Sequence, residues 1–375
     1  MAATHAHGAR TVRIRHYWIV AHRWFGLSVG WVLALAGITG ALLMIAAPLD
    51  EGLHPELFHV GGPAGGAVVS LESVRQRLAS EFGPHTGLTF HPPRDTHQSI
   101  EVTVRSKWKG TIYFDPYTGR ELGRRGQTQG FFNVLFRLHS SLLLDETGKP
   151  LLACVALCYL LLLVSGLVLW WPRGGVTGWR IELRRGRTRA LYDLHRVGGA
   201  SLGLLIAVSV ASGAYMAWRP LNGWVTALAG AHPMRPPTLS TQPVSTSRRL
   251  PVDTLVARAH EQFPDGQINI VQWPAKADAP LRIRMRLPDD PHPNGLTSIW
   301  LDPYSGAVLA VQRWNQLDPG ARAVAVIYPL HTGELGGLPL MVILSTGGVA
   351  LCGLFVTGIW QWWRRRKARN GTGRR

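Results

Sequence analysis

Four stretches of the chain, residues 22–48, 150–171, 195–218 and 339–363, are apolar almost without interruption. Each has the length of about 20 helical residues that crosses a hydrocarbon core of about 30 Å, so each predicts a transmembrane helix. The first is longer than the roughly 7–15 apolar residues of a secretory signal. It also has no small-residue cleavage site ahead of Pro48, so it reads as a retained span. The pattern changes in the two long segments, 49–149 and 219–338. In the first, Leu71, Val74, Leu78 and Phe82 recur at helical spacing behind Ser70, a residue type that caps helix starts. In the second, Val252, Leu255, Val256 and Ala259 do the same behind Pro251. Residues 99–105 and 281–287 then alternate polar and apolar, as strands with one buried face do. The predicted fold class is therefore membrane α-helical plus α+β. It has four transmembrane helices with an internal two-fold repeat and two α+β domains, with short segments at 1–21, 172–194 and 364–375.

The repeat is visible residue by residue. HRWFGLSVG, opening at His22, aligns with HRVGGASLG, opening at His195, and at one constant offset Gly26, Gly30 and Gly40 fall on Gly199, Gly203 and Gly213. A second block repeats as well: His139 precedes Trp170 and Trp171 as His331 precedes Trp362 and Trp363, with Ser165-Gly166 falling on Thr357-Gly358. In the long segments TIYFDPYTGREL, residues 111–122, matches SIWLDPYSGAVL, residues 298–309. Asp-Pro starts a turn and Gly119 or Gly306 supplies a positive-φ position, so both strings predict hairpins with Asp115 and Asp302 in structural roles.

A net charge of +18 would suggest nucleic acid as a partner, so the location of the charge matters, and three basic clusters flank the spans. Arg10, Arg13 and Arg15 precede the first span. Arg173, Arg180, Arg184, Arg185, Arg187 and Arg189 fill the short loop, and Arg364, Arg365, Arg366, Lys367 and Arg369 follow the last span. The positive-inside rule puts those three segments in the cytoplasm and both long segments outside it, and anionic lipid then accounts for the charge with no nucleic acid. Cys154, Cys158 and Cys352 all lie in spans, where they read as packing residues rather than disulfide partners.

Four histidines obey the repeat, at matching ends of four spans. Like depth joins like depth, which pairs His22 with His195 and His139 with His331. Two opposed imidazoles saturate a haem iron that passes electrons, so the expectation is two bis-histidine haem b groups. Gly26, Gly30, Gly199 and Gly203 share the helix faces of His22 and His195, where bare backbone would accept a bulky ring. His16 is the one rival ligand at that end. His54, His59, His85, His91, His97, His260 and His292 share no spacing and stay unassigned.

The HRWFGL opening, the Leu-His before each even-numbered span, the terminal Trp-Trp and the DPYTG-type hairpin together resemble the PepSY-associated transmembrane family. More narrowly, they resemble the bacterial inner-membrane ferric-siderophore reductases of the ferrioxamine type. The resemblance implies that 49–149 and 219–338 are PepSY-like domains in the periplasm, that both termini are cytoplasmic, and that a ferric siderophore is the substrate of a haem-dependent oxidoreductase. It implies no catalytic residue beyond the haem ligands. The electron donor, a cytoplasmic reductant or a quinol, goes unnamed, because no Gly-rich nucleotide motif is present. Trp108, Lys109, Trp273 and Trp300 are candidates for lining a substrate surface. The competing reading is a non-enzymatic envelope binding or regulatory protein that acts through its PepSY domains.

Overall fold

The computed structural model describes residues 2–61, 67–171, 178–232, 236–239 and 248–372. Arg173 of the basic loop lies outside the described residues. The chain opens with α1 (Ala2–Leu43), α2 (Ala46–Leu53), α3 (Pro55–Phe58) and α4 (Leu71–Phe82). Strands β1 (Gly87–His91), β2 (Ile100–Arg105), β3 (Lys109–Phe114) and β4 (Glu121–Gly126) follow. Then come α5 (Phe131–Ser141), α6 (Asp145–Trp170), α7 (Arg187–Ala217), α8 (Arg219–Leu228) and α9 (Val252–Gln262). Strands β5 (Gln267–Trp273), β6 (Leu281–Arg286), β7 (Thr297–Leu301) and β8 (Val308–Gln312) precede α10 (Pro319–Ala325), α11 (Ile327–His331) and α12 (Gly337–Thr372).

Two compact units result, one of residues 1–45, 135–224 and 330–375, the other of 46–134 and 225–329. The first is helical. Its four long helices carry stretches Ile14–Leu43, Asp145–Trp170, Arg187–Ala217 and Gly337–Asn370 that are long and apolar enough to cross a membrane. These helices outrun the expected spans of 22–48, 150–171, 195–218 and 339–363 because polar turns at their ends continue the same hydrogen-bond ladder, and the first stops short of Pro48. Helix α1 packs on α6 and α12, and α7 packs on the same two. Lipid is as apolar as leucine, so close approach rather than the hydrophobic effect decides such packing. The α1–α12 contact shows it. A Cβ on Gly37 would lie 2.6 Å from the Gly348 carbonyl oxygen, and one on Gly348 would lie 2.4 Å from that of Gly37.

In the second unit the two α+β halves share one sheet. β1 pairs antiparallel with β5, Leu88 opposite Trp273, and the strands form one eight-stranded sheet in the order β4-β3-β2-β1-β5-β6-β7-β8. Alternation sets its faces: Ile100, Val102 and Val104 of β2 and Leu281, Ile283 and Met285 of β6 are buried in one continuous core with Leu78 of α4 and Leu255 of α9. The two helices cap each other. Asp253 of α9 accepts from the Leu71 and Glu72 amides at 2.9 Å each, beside the Ser70 cap, while Glu72 of α4 accepts from the Val252 amide at 3.1 Å. A carboxylate at a helix start satisfies orphan N–H groups and faces the positive end of the dipole, a contribution of about 1 kcal/mol per cap. Asp115 accepts from the amides of Tyr117 and Thr118, and Asp302 from those of Tyr304 and Ser305, ahead of Gly119 (φ 67°) and Gly306 (φ 74°). Both aspartates are turn formers, as their sequence context indicates.

Candidate functional site

The four repeated histidines all belong to the helical unit, on four different elements. His22 lies within α1 and His195 within α7, and their ring centres are 6.3 Å apart with planes at 88°. His139 lies near the end of α5 and His331 closes α11, with ring centres 6.1 Å apart and planes at 38°. The helix rise of about 1.5 Å per residue separates His22 from the stretch of α1 that meets His139, Ala36 to Thr39, by about 21–26 Å.

One device holds all four rings. His22 Nδ1 lies 2.8 Å from Ser165 Oγ, with the Leu162 backbone as a second partner. His195 Nδ1 lies 2.9 Å from Thr357 Oγ1 and 3.0 Å from the Leu354 carbonyl. His139 Nδ1 lies 3.2 Å from Thr39 Oγ1 and 3.0 Å from the Ala36 carbonyl. His331 Nδ1 lies 3.0 Å from both Ser212 Oγ and the Ser209 carbonyl. In each case the hydroxyl donates to a carbonyl of its own helix: Ser165 to Leu162, Thr357 to Leu354, Thr39 to Ala36, Ser212 to Ser209. A carbonyl only accepts, and a hydroxyl whose proton is committed also accepts. Nδ1 therefore carries the proton in all four rings, and Nε2 carries the lone pair. No hydrogen bond among the described residues reaches any of the four Nε2 atoms.

Glycines press against the ring edges. A Cβ on Gly40 would lie 2.9 Å from His139 Cε1 and one on Gly213 3.0 Å from His331 Cε1. At the other end the same test gives 3.3 Å between Gly166 and His22, and 3.4 Å between Gly358 and His195. A cavity of about 430 Å³ opens on His22 and His195, and Gly26, Gly30 and Gly199 line it. Gly203, expected to be with them, is instead packed on Leu163, and its carbonyl accepts from Tyr159 Oη at 2.9 Å. Gly30 faces Phe355 rather than open space. His16 is exposed and lies against Tyr17, away from the cavity lining.

Chemically, each pair offers two imidazoles whose Nδ1 atoms are committed to hydrogen bonds. Among the described residues no group of three or more His, Cys, Asp or Glu side chains is arranged to hold a metal ion.

The hydroxyls and glycines that position the rings had a signal in the sequence. Ser165 and Thr357, Gly166 and Gly358, and Gly40 and Gly213 are repeat mates, and so are Thr39 and Ser212. The missed step was to give such small polar mates a partner.

In the sheet unit, the candidate substrate-facing residues separate. Trp273 and Trp300 are each only 4% exposed, and Trp108 stacks on Phe82 at 5.5 Å. These rings serve packing. Arg282 lies over Trp300 at 5.2 Å and donates to Ser298 Oγ, and burial, followed by the nearby Arg284 charge, pushes its guanidinium down to about 10. His292 is held down to about 4 by burial and then by the charges of Arg284 and Arg94, so it is neutral at pH 7.

No curated protein matches the chain. Residues 19–365 match the family described as the PepSY-associated TM region.

Proposed function

We propose that this chain, which belongs to the PepSY-associated TM family, is a membrane electron carrier that reduces Fe(III) bound by a siderophore. The observation that carries the reading is the duplicated imidazole pair, each ring with Nδ1–H locked to a neighbouring helix and Nε2 free. Two haem b groups would be held, one by His22 with His195 and the other by His139 with His331. An imidazole nitrogen binds a metal at about 2 Å, so two rings that would share one ion must have centres within a few ångströms of each other. The separations of 6.3 and 6.1 Å fit that requirement. When bound, a bis-histidine haem supplies one-electron chemistry and leaves no position for oxygen.

The chain's own residues do the rest. Donation from Nδ1–H to a hydroxyl and a carbonyl fixes ring orientation and raises the basicity of Nε2. Gly40, Gly213, Gly166 and Gly358 leave room for imidazole edges and for nothing larger. The rise along α1 puts the two pairs near opposite faces of a core of about 30 Å. The basic segments favour cytoplasmic termini, with the sheet unit in the periplasm of a bacterial inner membrane. On that topology His139 and His331 lie at the periplasmic side, and the electron enters at the His22 side from a quinol or a cytoplasmic reductant. One electron converts the siderophore's Fe(III) to Fe(II), which hard oxygen donors hold poorly, so iron leaves and the siderophore is unchanged.

The test is optical. Purified protein reduced with dithionite is expected to show b-type bands at about two haems per chain, and ferric siderophore should then reoxidise it while a ferrous chelator traps Fe(II). Absence of haem would refute the reading. Haem without reoxidation by any ferric siderophore would move the acceptor to another class.

A further inference from the structure

Each histidine of the first pair is followed by an arginine, Arg23 after His22 and Arg196 after His195. Both arginines line the cavity, and so do Arg15, Arg365 and Arg369, with no Asp or Glu among the lining residues. Four donors there are shielded from solvent and have no hydrogen-bond partner among the described residues: Arg23 Nε, Arg196 Nε, Trp170 Nε1 and Gln361 Nε2. A buried donor left unpaired is costly, and native structures tolerate few of them, so four around one cavity call for an acceptor. Leu163, Leu354 and Phe355 make much of the remaining wall apolar. The occupant therefore has an apolar body and an anionic, hydrogen-bond-accepting edge.

We propose that these donors clamp the carboxylates of the tetrapyrrole that His22 and His195 hold, an inference that rests on the functional reading above. Arg196 is half committed: its Nη2 donates to Asp193 at 3.2 Å and to the Arg180 carbonyl at 3.0 Å, so the buried Asp193 braces it while Nε stays free for the ligand. Among the described residues Arg23 touches no carboxylate, and its guanidinium lies 5.8 Å from the Trp24 ring centre. The His-Arg dipeptide thus supplies an axial ligand and an anion clamp from adjacent positions, twice. The clamp fixes which edge of the macrocycle faces the arginines, and the positive charge favours the reduced, less positive state of the iron. At the other pair the comparable charge is spent, since Arg137, two residues before His139, is paired with Asp145 at 2.6 Å.

The test is a spectroelectrochemical titration of the detergent-purified full chain carrying Arg23→Gln, with Arg196→Gln alongside. Removing one positive charge should lower the reduced-to-oxidised ratio of one haem about tenfold at a fixed applied potential, a shift of about 59 mV, and leave the other haem unchanged. Haem-depleted full-length protein supplies the second arm. It should take the dimethyl ester of the same haem into the His22 site at least tenfold more weakly than the free acid, and Arg23→Gln should shrink that difference. Since Arg196 also holds Asp193, a misfolded Arg196→Gln leaves Arg23→Gln to decide. A wild type without haem sinks the functional reading and this inference with it. Haem-replete protein whose potentials ignore Arg23, or which takes the ester as readily as the acid, overturns the clamp alone.

Discussion

The two ends of the helical unit hold their histidines by the same hydrogen bonds on different backbones. His22 and His195 sit inside the unbroken helices α1 and α7. His139 and His331 ride on short helices that stop just before the next span, through backbone that includes Leu142, Leu143 and Asp145 at φ 52°, 63° and 50° in one case and Gly333 and Gly337 at φ 77° and 59° in the other. Left-handed conformations at non-glycine residues are costly and persist where the surroundings hold them. Gly148 is part of that restraint, since a Cβ there would lie 1.7 Å from the Ser141 carbonyl oxygen. The same hydrogen-bonding device for a histidine can therefore be kept while its support changes from a rigid rod to a braced turn. The first end keeps a cavity beside its rings, and the second packs its rings tightly against glycine.

On the proposed function, the largest effect should come from removing one of the four histidines. His22→Ala or His195→Ala is expected to lower haem content from about two per chain to about one, and His139→Ala or His331→Ala to remove the other, spectrally distinct haem. Pyridine haemochrome assay with low-temperature spectra reads both. If all four variants lost the same spectral component, the pairing by depth would be wrong.

An intermediate effect separates the ends. In Gly40→Ala and Gly213→Ala the new methyl group must displace an imidazole that two hydrogen bonds hold, so weaker haem retention at that site is expected. Gly166→Ala and Gly358→Ala have 0.4 Å more room, with separations of 3.3 and 3.4 Å against 2.9 and 3.0 Å, and should stay near wild type. Alanine also favours the helix by about 1 kcal/mol over glycine, so thermal stability should hold or rise in all four. Loss of haem together with stability at Gly40 would indicate a folding defect instead.

The smallest effect tests the shared lock. Thr39→Val, Ser212→Ala, Ser165→Ala and Thr357→Val each remove one acceptor from Nδ1 and leave the carbonyl. Haem affinity should fall about tenfold, the low end of what such outer partners contribute. Equal losses at both ends would confirm one device. A loss confined to His139 and His331 would show that continuous helices need no lock.

Much of this was legible in the chain. The four spans, the paired helices behind Ser70 and Pro251, and the DPYTG and DPYSG turns depend on local pattern, and local pattern survives folding. The histidine pairing followed from repeat offsets, which carry depth as well as identity. The single sheet did not show, because it depends on β1 meeting β5 across a large sequence separation, and a strand's own alternation does not name its neighbour. Gly203 was misplaced for a related reason. Sequence put it on the face of His195, but whether a side chain from α6 fills that face is a fact about the neighbouring helix.

The exchanged caps of the sheet unit impose an order on synthesis. Asp253 is made 181 residues after Glu72, with two membrane helices translated in between. Until then the start of α4 lacks that carboxylate, and β1 presents a bare edge of the kind that pairs with wrong partners. The first half of the unit is therefore a waiting template during biogenesis. It closes only when the second half has been made, so the middle two membrane helices must be translated before the sheet can be completed.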